Sequence, residues 1–559
     1  MIIIENAKEV LKEKETKQIN TSELIIKCLE SEGVEYMFGI PGEENIAFMN
    51  VLKDSSIKFI TTRHEQGAAF MADVYGRLTG KPGVCLSTLG PGATNLMTGV
   101  ADANLDGAPL VAITGQAGTD RMHVESHQYL DLVAMFAPVT KWNKQVVRPD
   151  TAPEIVRKAF KTAVSEKPGA VHIDLPENIA AMPVIGEPLR HVEIEKSFAS
   201  YSSTEKAAIA ISRAKRPIIL VGNGAVRNKA AAALLNMAEM LNIPVANTFM
   251  GKGIIPYTHP LSLWSVGLTQ RDYVNTVIEK ADLVIAVGYD LIEYAPKNWN
   301  PKGDIEIIHV SHEKAEINKC YIPLVEVIGD IPDSLYELTR RSSRHEDINY
   351  ALEIRKKIVK DYESYAEDNS FPMKPQKILY DLRQVMGADD IVISDVGAHK
   401  MWVARHYHCL KPNTCIMSNG FASMGIAIPG AVAAKLVNPD KKVVAVTGDG
   451  GFMMNSQELE TAVRIGTPFV ALIFNDGCYG LIKWKQEEKF GESNNICFTN
   501  PDFVKYAEAM GLKGYRVNKA EDLVPILKEA LEQKVPTIID CPVDYSENLK
   551  LTNLLKGLS

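Results

Sequence analysis

No two cysteines in this chain form a C-x-x-C pair, and no His/Cys grouping has the spacing of a zinc site. The eight cysteines stand apart, at positions 28, 85, 320, 409, 415, 478, 497 and 541. Thiols scattered in this way through a chain of 559 residues are expected to be buried and reduced, as in a cytoplasmic protein. There is no apolar run long enough to span a bilayer, so a membrane is not an expected partner. The net charge is −8 and the basic residues form no stripe, which argues against nucleic acid. The opening residues, MIIIENAKEVLKEKETK, lack the basic start, apolar stretch and cleavage site of a secretory signal. They are expected to be a frayed or helical extension over 1–17.

What is present is the composition of a soluble globular protein, 46% hydrophobic and 23% charged, with length for three or four domains. Short apolar runs bounded by Gly or Pro, such as YMFGI, KPGVCLSTL, APLVAITG and GAVHIDLP, alternate with helical stretches. Such alternation predicts parallel sheets with helices on both faces. It occurs in three blocks, over 18–190, 195–345 and 371–545, with a charged helical linker over 346–370 and a tail over 546–559. The first and third blocks close on similar strands, GAVHIDLP and PTIIDCPV, consistent with related folds.

Two carboxylates stand out in the third block. Asp449 ends the strand KKVVAVTG and lies between glycines; Asp476 ends the strand PFVALIFN, 27 positions later. The intervening NSQELETAVRIG reads as a helix, with Leu459, Ala462 and Val463 on one face and Gly466 as its C-cap. One strand–helix–strand unit therefore brings both aspartates to one sheet edge, where ligands bind in parallel α/β sheets. Either alone reads first as a turn residue. As a pair beside glycines that let backbone N–H groups approach a phosphate, they read as a Mg²⁺ site.

The GDG followed at this spacing by FND resembles the signature of thiamine diphosphate enzymes. The resemblance implies that Asp449, Asp476 and the backbone carbonyl of Cys478 hold Mg²⁺, with Gly450, Gly451, Tyr479, Gly480 and Leu481 around the cofactor. TTRHEQGAAFMADVYGR is similar to the R-H-E-x-x-A segment of the acetolactate synthase and pyruvate decarboxylase superfamily, which makes Glu65 the acid that activates the aminopyrimidine ring. VEYMFGIPGEEN resembles the loop lying against that ring, here Ile40, Pro41 and Gly42. STLGPGATNLMTGVADANLDGAPLVAITG matches a further motif and carries Asn95. ISDVGAHKMW resembles the diphosphate loop, here Gly397, Ala398 and His399. SNGFASMGIAIPG resembles the stretch that holds the cofactor bent, here Ser423 and Met424. The implied fold is α/β in three domains: a pyrimidine-binding domain, a Rossmann-like central domain and a diphosphate-binding domain. The implied assembly is a homodimer or homotetramer with active sites between subunits.

Within the superfamily, the chain has no adjacent His-His pair, a mark of pyruvate decarboxylases. RMHVESHQYLDLVAMFAPVTKWNKQV is similar to the synthase branch, where Gln128 would face the reacting centre. The expected reaction is the condensation of two pyruvates to 2-acetolactate and CO₂; the alternatives are a 2-oxo acid decarboxylase giving an aldehyde, and a non-catalytic homologue. VGNGAVRN offers only a lone G-x-G, with Arg227 at the third glycine position. Asp290 stands where flavin-binding relatives carry an arginine, so the chain resembles the flavin-free catabolic branch and no FAD is expected. The position that selects the acceptor in the biosynthetic branch is Lys485, after Trp484.

Overall fold

The computed structural model describes residues 18–192, 194–267 and 273–550. The expected extension over 1–17 and the end of the tail, 551–559, lie outside the described residues.

Three six-stranded parallel sheets carry the fold, plus a two-stranded antiparallel pairing of Ile19–Asn20 with Pro183–Val184. Helices cover both faces of each sheet, so the central strands are buried throughout and do not alternate between buried and exposed. Every residue of Leu110–Gln116 and of Ala170–Pro176 is buried. In the first sheet the six strands, taken in chain order from Tyr36–Gly39 to Ala170–Pro176, lie side by side as 2-1-3-4-6-5. The third sheet, from Ile391–Ser394 to Thr537–Pro542, repeats that order. The kinship read from two similar closing strands therefore extends to the whole topology. The middle sheet, from Pro217–Val221 to Val325–Ile328, has the order 3-2-1-4-5-6 of dinucleotide-binding folds.

The first and third sheets share one apolar core. Phe38, Phe70 and Leu96 from the first pack in one cluster with Ile393, Ile428 and Phe452 from the third. The helices Glu65–Thr79, Pro91–Asp106 and Ala427–Val437 meet there. Small residues allow the approach: a Cβ on Gly99 would lie 2.5 Å from the Ala69 methyl, and one on Gly430 3.0 Å from Val74 Cγ2. A buried ion cluster locks the same seam. Arg77 Nε donates to Asp73 at 2.6 Å, and its Nη2 to Asp102 at 3.1 Å and Asp106 at 2.9 Å. Arg77 Nη1 also donates to the Met417 carbonyl at 2.9 Å, and Asp106 accepts from Asn419 N at 2.9 Å. The segment leading to Met424 is thus held from the first domain.

Candidate active site

Asp449 and Asp476 follow adjacent strands, Val443–Gly448 and Val470–Asn475, paired in parallel with Gly448 opposite Phe474. The Gly-Asp-Gly segment is not a free turn: Asp449 opens a helix, Asp449–Asn455, capped by Gly448. A second helix, Glu458–Ile465, follows and ends at Gly466 in the left-handed conformation, φ 70°. Leu459 and Ala462 are buried as expected, but Val463, in the same helix, is exposed.

Asp449 Oδ1 accepts from Gly450 N at 2.8 Å, and its Oδ2 from Gly477 N and Asn500 Nδ2, both at 2.7 Å. Burial pushes the Asp449 carboxyl up; burial first and the Asp449 charge second push Asp476 up to about 7. Two desolvated carboxylates, one of which opposes the ionisation of the other, are what a cation would stabilise. Gly477, with φ 66°, bends the chain so that Cys478 and Tyr479 pass beside the pair. Among the described residues no three His, Cys, Asp or Glu side chains gather to hold a metal. Two carboxylates, a backbone carbonyl and phosphate oxygens still make a Mg²⁺ shell.

The third sheet reverses its strand order between Ile391–Ser394 and Val443–Gly448, and the two site loops meet at this switch point. Gly397 precedes the helix Ala398–His406, so backbone N–H groups at Ala398 and His399 open toward the crevice. The His399 ring is buried, with Nε2 lacking a partner, and burial lowers its basicity to about 3. That orphaned buried nitrogen, on a ring whose other edge lies against Gly448, fits a site completed by phosphate oxygens. Asp395 ties the loops together and escaped sequence reasoning. Its carboxylate accepts from Val396 N at 2.7 Å and Gly425 N at 2.8 Å, and a Cβ on Gly451 would lie 3.0 Å from its Cγ. Burial raises it to about 6. Ser423 N donates to Ser418 Oγ at 2.9 Å, and Met424 is half-buried.

Glu65 opens the helix Glu65–Thr79 and is buried. Its Oε2 accepts from Asn95 Nδ2 at 3.0 Å, so Asn95 bears on the acid itself. The helix entrance is fixed from the third domain: Glu458 Oε1 accepts from Arg63 N and His64 N, both at 3.0 Å, and Asn455 Nδ2 donates to Gln66 at 3.0 Å. Ile40, Pro41 and Gly42 follow the strand Tyr36–Gly39. Gly42 is needed for close approach, because a Cβ there would lie 2.4 Å from Thr88 Cβ. Gln128 is exposed and has φ 57°, and its backbone lies over Gly90 at the start of the helix Pro91–Asp106. Gly480 and Leu481 begin the helix Gly480–Phe490, which buries Trp484 and pairs Lys485 with Glu488 at 3.1 Å.

The expectation of reduced thiols needs correction. Six cysteines are free and buried, but Cys478 and Cys497 form a disulfide. The segment 477–479 pairs antiparallel with 496–498 through Tyr479 N to Ile496 O and Phe498 N to Gly477 O, both at 2.9 Å. The two cysteines face each other in the close, non-hydrogen-bonded position of that ladder, with Cα atoms 4.1 Å apart. No sequence spacing predicts this pairing.

Three family models match: the N-terminal TPP binding domain of thiamine pyrophosphate enzymes over 19–135, their central domain over 204–338, and their C-terminal TPP binding domain over 395–541. The acetolactate synthase of Bacillus subtilis is 37% identical over 95% of this chain and 94% of its own length. A probable acetolactate synthase large subunit of Methanococcus aeolicus is 36% identical over 97% of this chain and 96% of its own. A catabolic acetolactate synthase of Raoultella terrigena is 35% identical over 94% of this chain and 95% of its own.

Proposed function

The chain belongs to the acetolactate synthase family of thiamine pyrophosphate enzymes, and we propose that it condenses two pyruvates into 2-acetolactate and CO₂ with thiamine diphosphate, Mg²⁺ and no flavin. The observation that carries this reading is that one chain holds both the buried acid Glu65, its helix entrance fixed by Glu458 and Asn455 of the third domain, and the desolvated pair Asp449 and Asp476. Bound thiamine diphosphate supplies the carbanion chemistry that releases CO₂ from a 2-oxo acid and passes on the remaining acyl unit. Asp449, Asp476 and the Cys478 carbonyl would hold Mg²⁺, with the Gly397–His399 loop on the diphosphate. Asn95 occupies Oε2 of Glu65, which leaves Oε1 to hold the proton. Met424 shapes the cofactor, and Gln128, exposed above Gly90, orients substrate. The domain limits belong to the same reading: 18–190, 195–345 and 371–545.

Purified protein with thiamine diphosphate, Mg²⁺ and pyruvate, and no added flavin, is expected to give acetolactate well in excess of acetaldehyde. Acetaldehyde as the main product would move the chain to the decarboxylases; neither product would remove pyruvate as substrate.

The absence of flavin rests on the middle sheet. Its strand order would suit a dinucleotide, but the place for an anion is taken. The turn after Pro217–Val221 is closed on the backbone of the neighbouring strand: a Cβ on Gly224 would lie 2.8 Å from Gly288 Cα. The buried Glu293 carboxylate receives Asn223 N at 2.9 and 3.1 Å, where a diphosphate would need that N–H. Burial raises Glu293 to about 7, above its ordinary 4.5. An acid raised in the folded state contributes stability below its unfolded value and loses it as pH climbs through about 7. Glu293→Gln lacks that loss. Its melting temperature relative to wild type is expected to rise between pH 5 and pH 8, by the equivalent of up to about 3 kcal/mol. A pH-independent difference in thermal denaturation would count against a carboxylate at that place.

A subunit assembly belongs to the proposal. Phe421, Met453, Met454, Tyr479 and Ile482, on segments that carry the site, are 40–50% exposed, apolar surface that a second chain would cover. Among the described residues no helix is long and apolar enough to cross a membrane. We place the protein in the cytoplasm on its six buried free thiols, with the one disulfide as the kind of exception that senses redox state.

A further inference from the structure

We infer that the segment 496–500 is a strap on the metal loop, with Asn500 as the positioning residue for Asp449 and the Cys478–Cys497 disulfide as its redox-controlled fastening. The inference rests on the metal reading above.

Asn500 stands outside both strands that carry the aspartates, yet it completes the shell of one of them. Its Nδ2 donates to Asp449 Oδ2 at 2.7 Å and to Asn475 Oδ1 at 3.0 Å. Asn475 Nδ2 in turn donates to Asp540 Oδ1 at 2.8 Å, and Arg516 Nε donates to Asp540 Oδ2 at 2.9 Å. The amide of Asn500 is therefore oriented from behind and has one way to face Asp449. Partners that orient a ligating carboxylate contribute to metal affinity by factors of roughly 10–100.

What holds Asn500 there is local. Two backbone hydrogen bonds join 477–479 to 496–498, and the Phe498 ring packs edge-on against Tyr479 with centroids 5.0 Å apart. A two-stranded ladder this short is marginal in water. The disulfide makes it permanent, and it does so at Cys478, the residue whose carbonyl is read as the third metal ligand. The same covalent bond fixes a ligand atom and the strap that orients a second ligand. Cys478 is buried, while Cys497 is exposed, so the bond is open to attack from one side.

The chemistry is thiol–disulfide exchange with a small dithiol. Its thiolate attacks Cys497 Sγ, the Sγ–Sγ bond breaks, and Cys478 leaves with the electron pair and takes a proton. The second thiol of the reagent displaces Cys497 from the mixed disulfide. The reagent ends as a cyclic disulfide, having delivered two electrons and two protons. Once reduced, 496–500 is tied only by hydrogen bonds and the Phe498–Tyr479 packing, and Asn500 leaves Asp449 part of the time.

The test is Mn²⁺ binding in the presence of thiamine diphosphate and the absence of pyruvate, with free Mn²⁺ read by electron paramagnetic resonance. Oxidised wild type is expected to bind roughly tenfold more tightly than dithiol-reduced wild type. Cys497→Ser should match the reduced protein in either redox state. Asn500→Ala should bind weakly in both states, with a smaller further loss on reduction than wild type shows, because only the part of the disulfide's effect that runs through the Cys478 carbonyl is left. Equal affinity of oxidised and reduced wild type would overturn the fastening. Wild-type affinity in Asn500→Ala would overturn the positioning role. Failure of both wild-type forms to bind Mn²⁺ would overturn the metal reading itself, and the strap with it.

Discussion

Glu65→Gln is expected to lower turnover by a factor of roughly 10²–10⁴, the usual worth of a positioned acid or base, with fold and cofactor binding kept. The substitution is nearly isosteric. Glutamine still presents a carbonyl oxygen that can accept from Asn95 Nδ2, and the backbone bonds of Arg63 and His64 to Glu458 do not involve the side chain. What disappears is a carboxyl that can hold and surrender a proton at Oε1. Buried at the head of its helix, Glu65 is shielded from water that could take over the role. Steady-state kcat and the binding of thiamine diphosphate, followed by fluorescence quenching, separate the two effects. Wild-type turnover in the variant would remove Glu65 as the activating acid. Lost binding with unchanged kcat per loaded site would make it a binding residue.

The sequence was most legible where function follows from chain-local geometry. A strand, a helical crossover and a second strand place Asp449 and Asp476 on one edge, because parallel neighbours end on the same side, even though the crossover is two helices and not one. Gly466 caps its helix for an equally local reason. Illegible were the carboxylates whose partners are remote. Asp395 unites three loops, and Glu458 caps a helix entrance nearly 400 positions away. Nothing in the spacing of either residue marks those bonds. The flavin question shows the same limit. Asp290 was the visible departure, but it pairs with Lys167. The residue at the anion position is Glu293, which no motif singles out. The disulfide was misread because eight scattered cysteines carry no framework pattern, and its ladder exists only after the metal loop has folded back on 496–498.

Asp449→Ala is expected to abolish retention of Mg²⁺ and thiamine diphosphate through dialysis against chelator, a loss above the roughly 100-fold that a merely orienting partner supplies. Two separate losses combine. One of two charged ligands is gone, and a hard cation on a single carboxylate and carbonyl oxygens holds its phosphate partner weakly. Gly450 N, Gly477 N and Asn500 Nδ2 lose their common acceptor as well, so the loop through Cys478 is no longer drawn toward the strand end. Asp449→Asn separates the two. It keeps an oxygen for those donors and loses only charge, so it should fall between wild type and alanine in Mg²⁺ and cofactor retained per chain. Equal losses in Asn and Ala would assign the whole effect to charge; a wild-type Asn variant with a defective Ala variant would assign it to loop geometry. Unchanged retention in Asp449→Ala would remove the pair as the metal site, and a far-ultraviolet circular dichroism spectrum like that of wild type would show that the loss in the other case is local. Asp476 depends on the same balance. It is raised by burial and by its neighbour's charge, and a divalent cation between the two relieves both penalties at once. On the proposed reading, an arrangement costly by itself becomes favourable when loaded, which gives two carboxylates a reason to share a sheet edge where one would serve a turn.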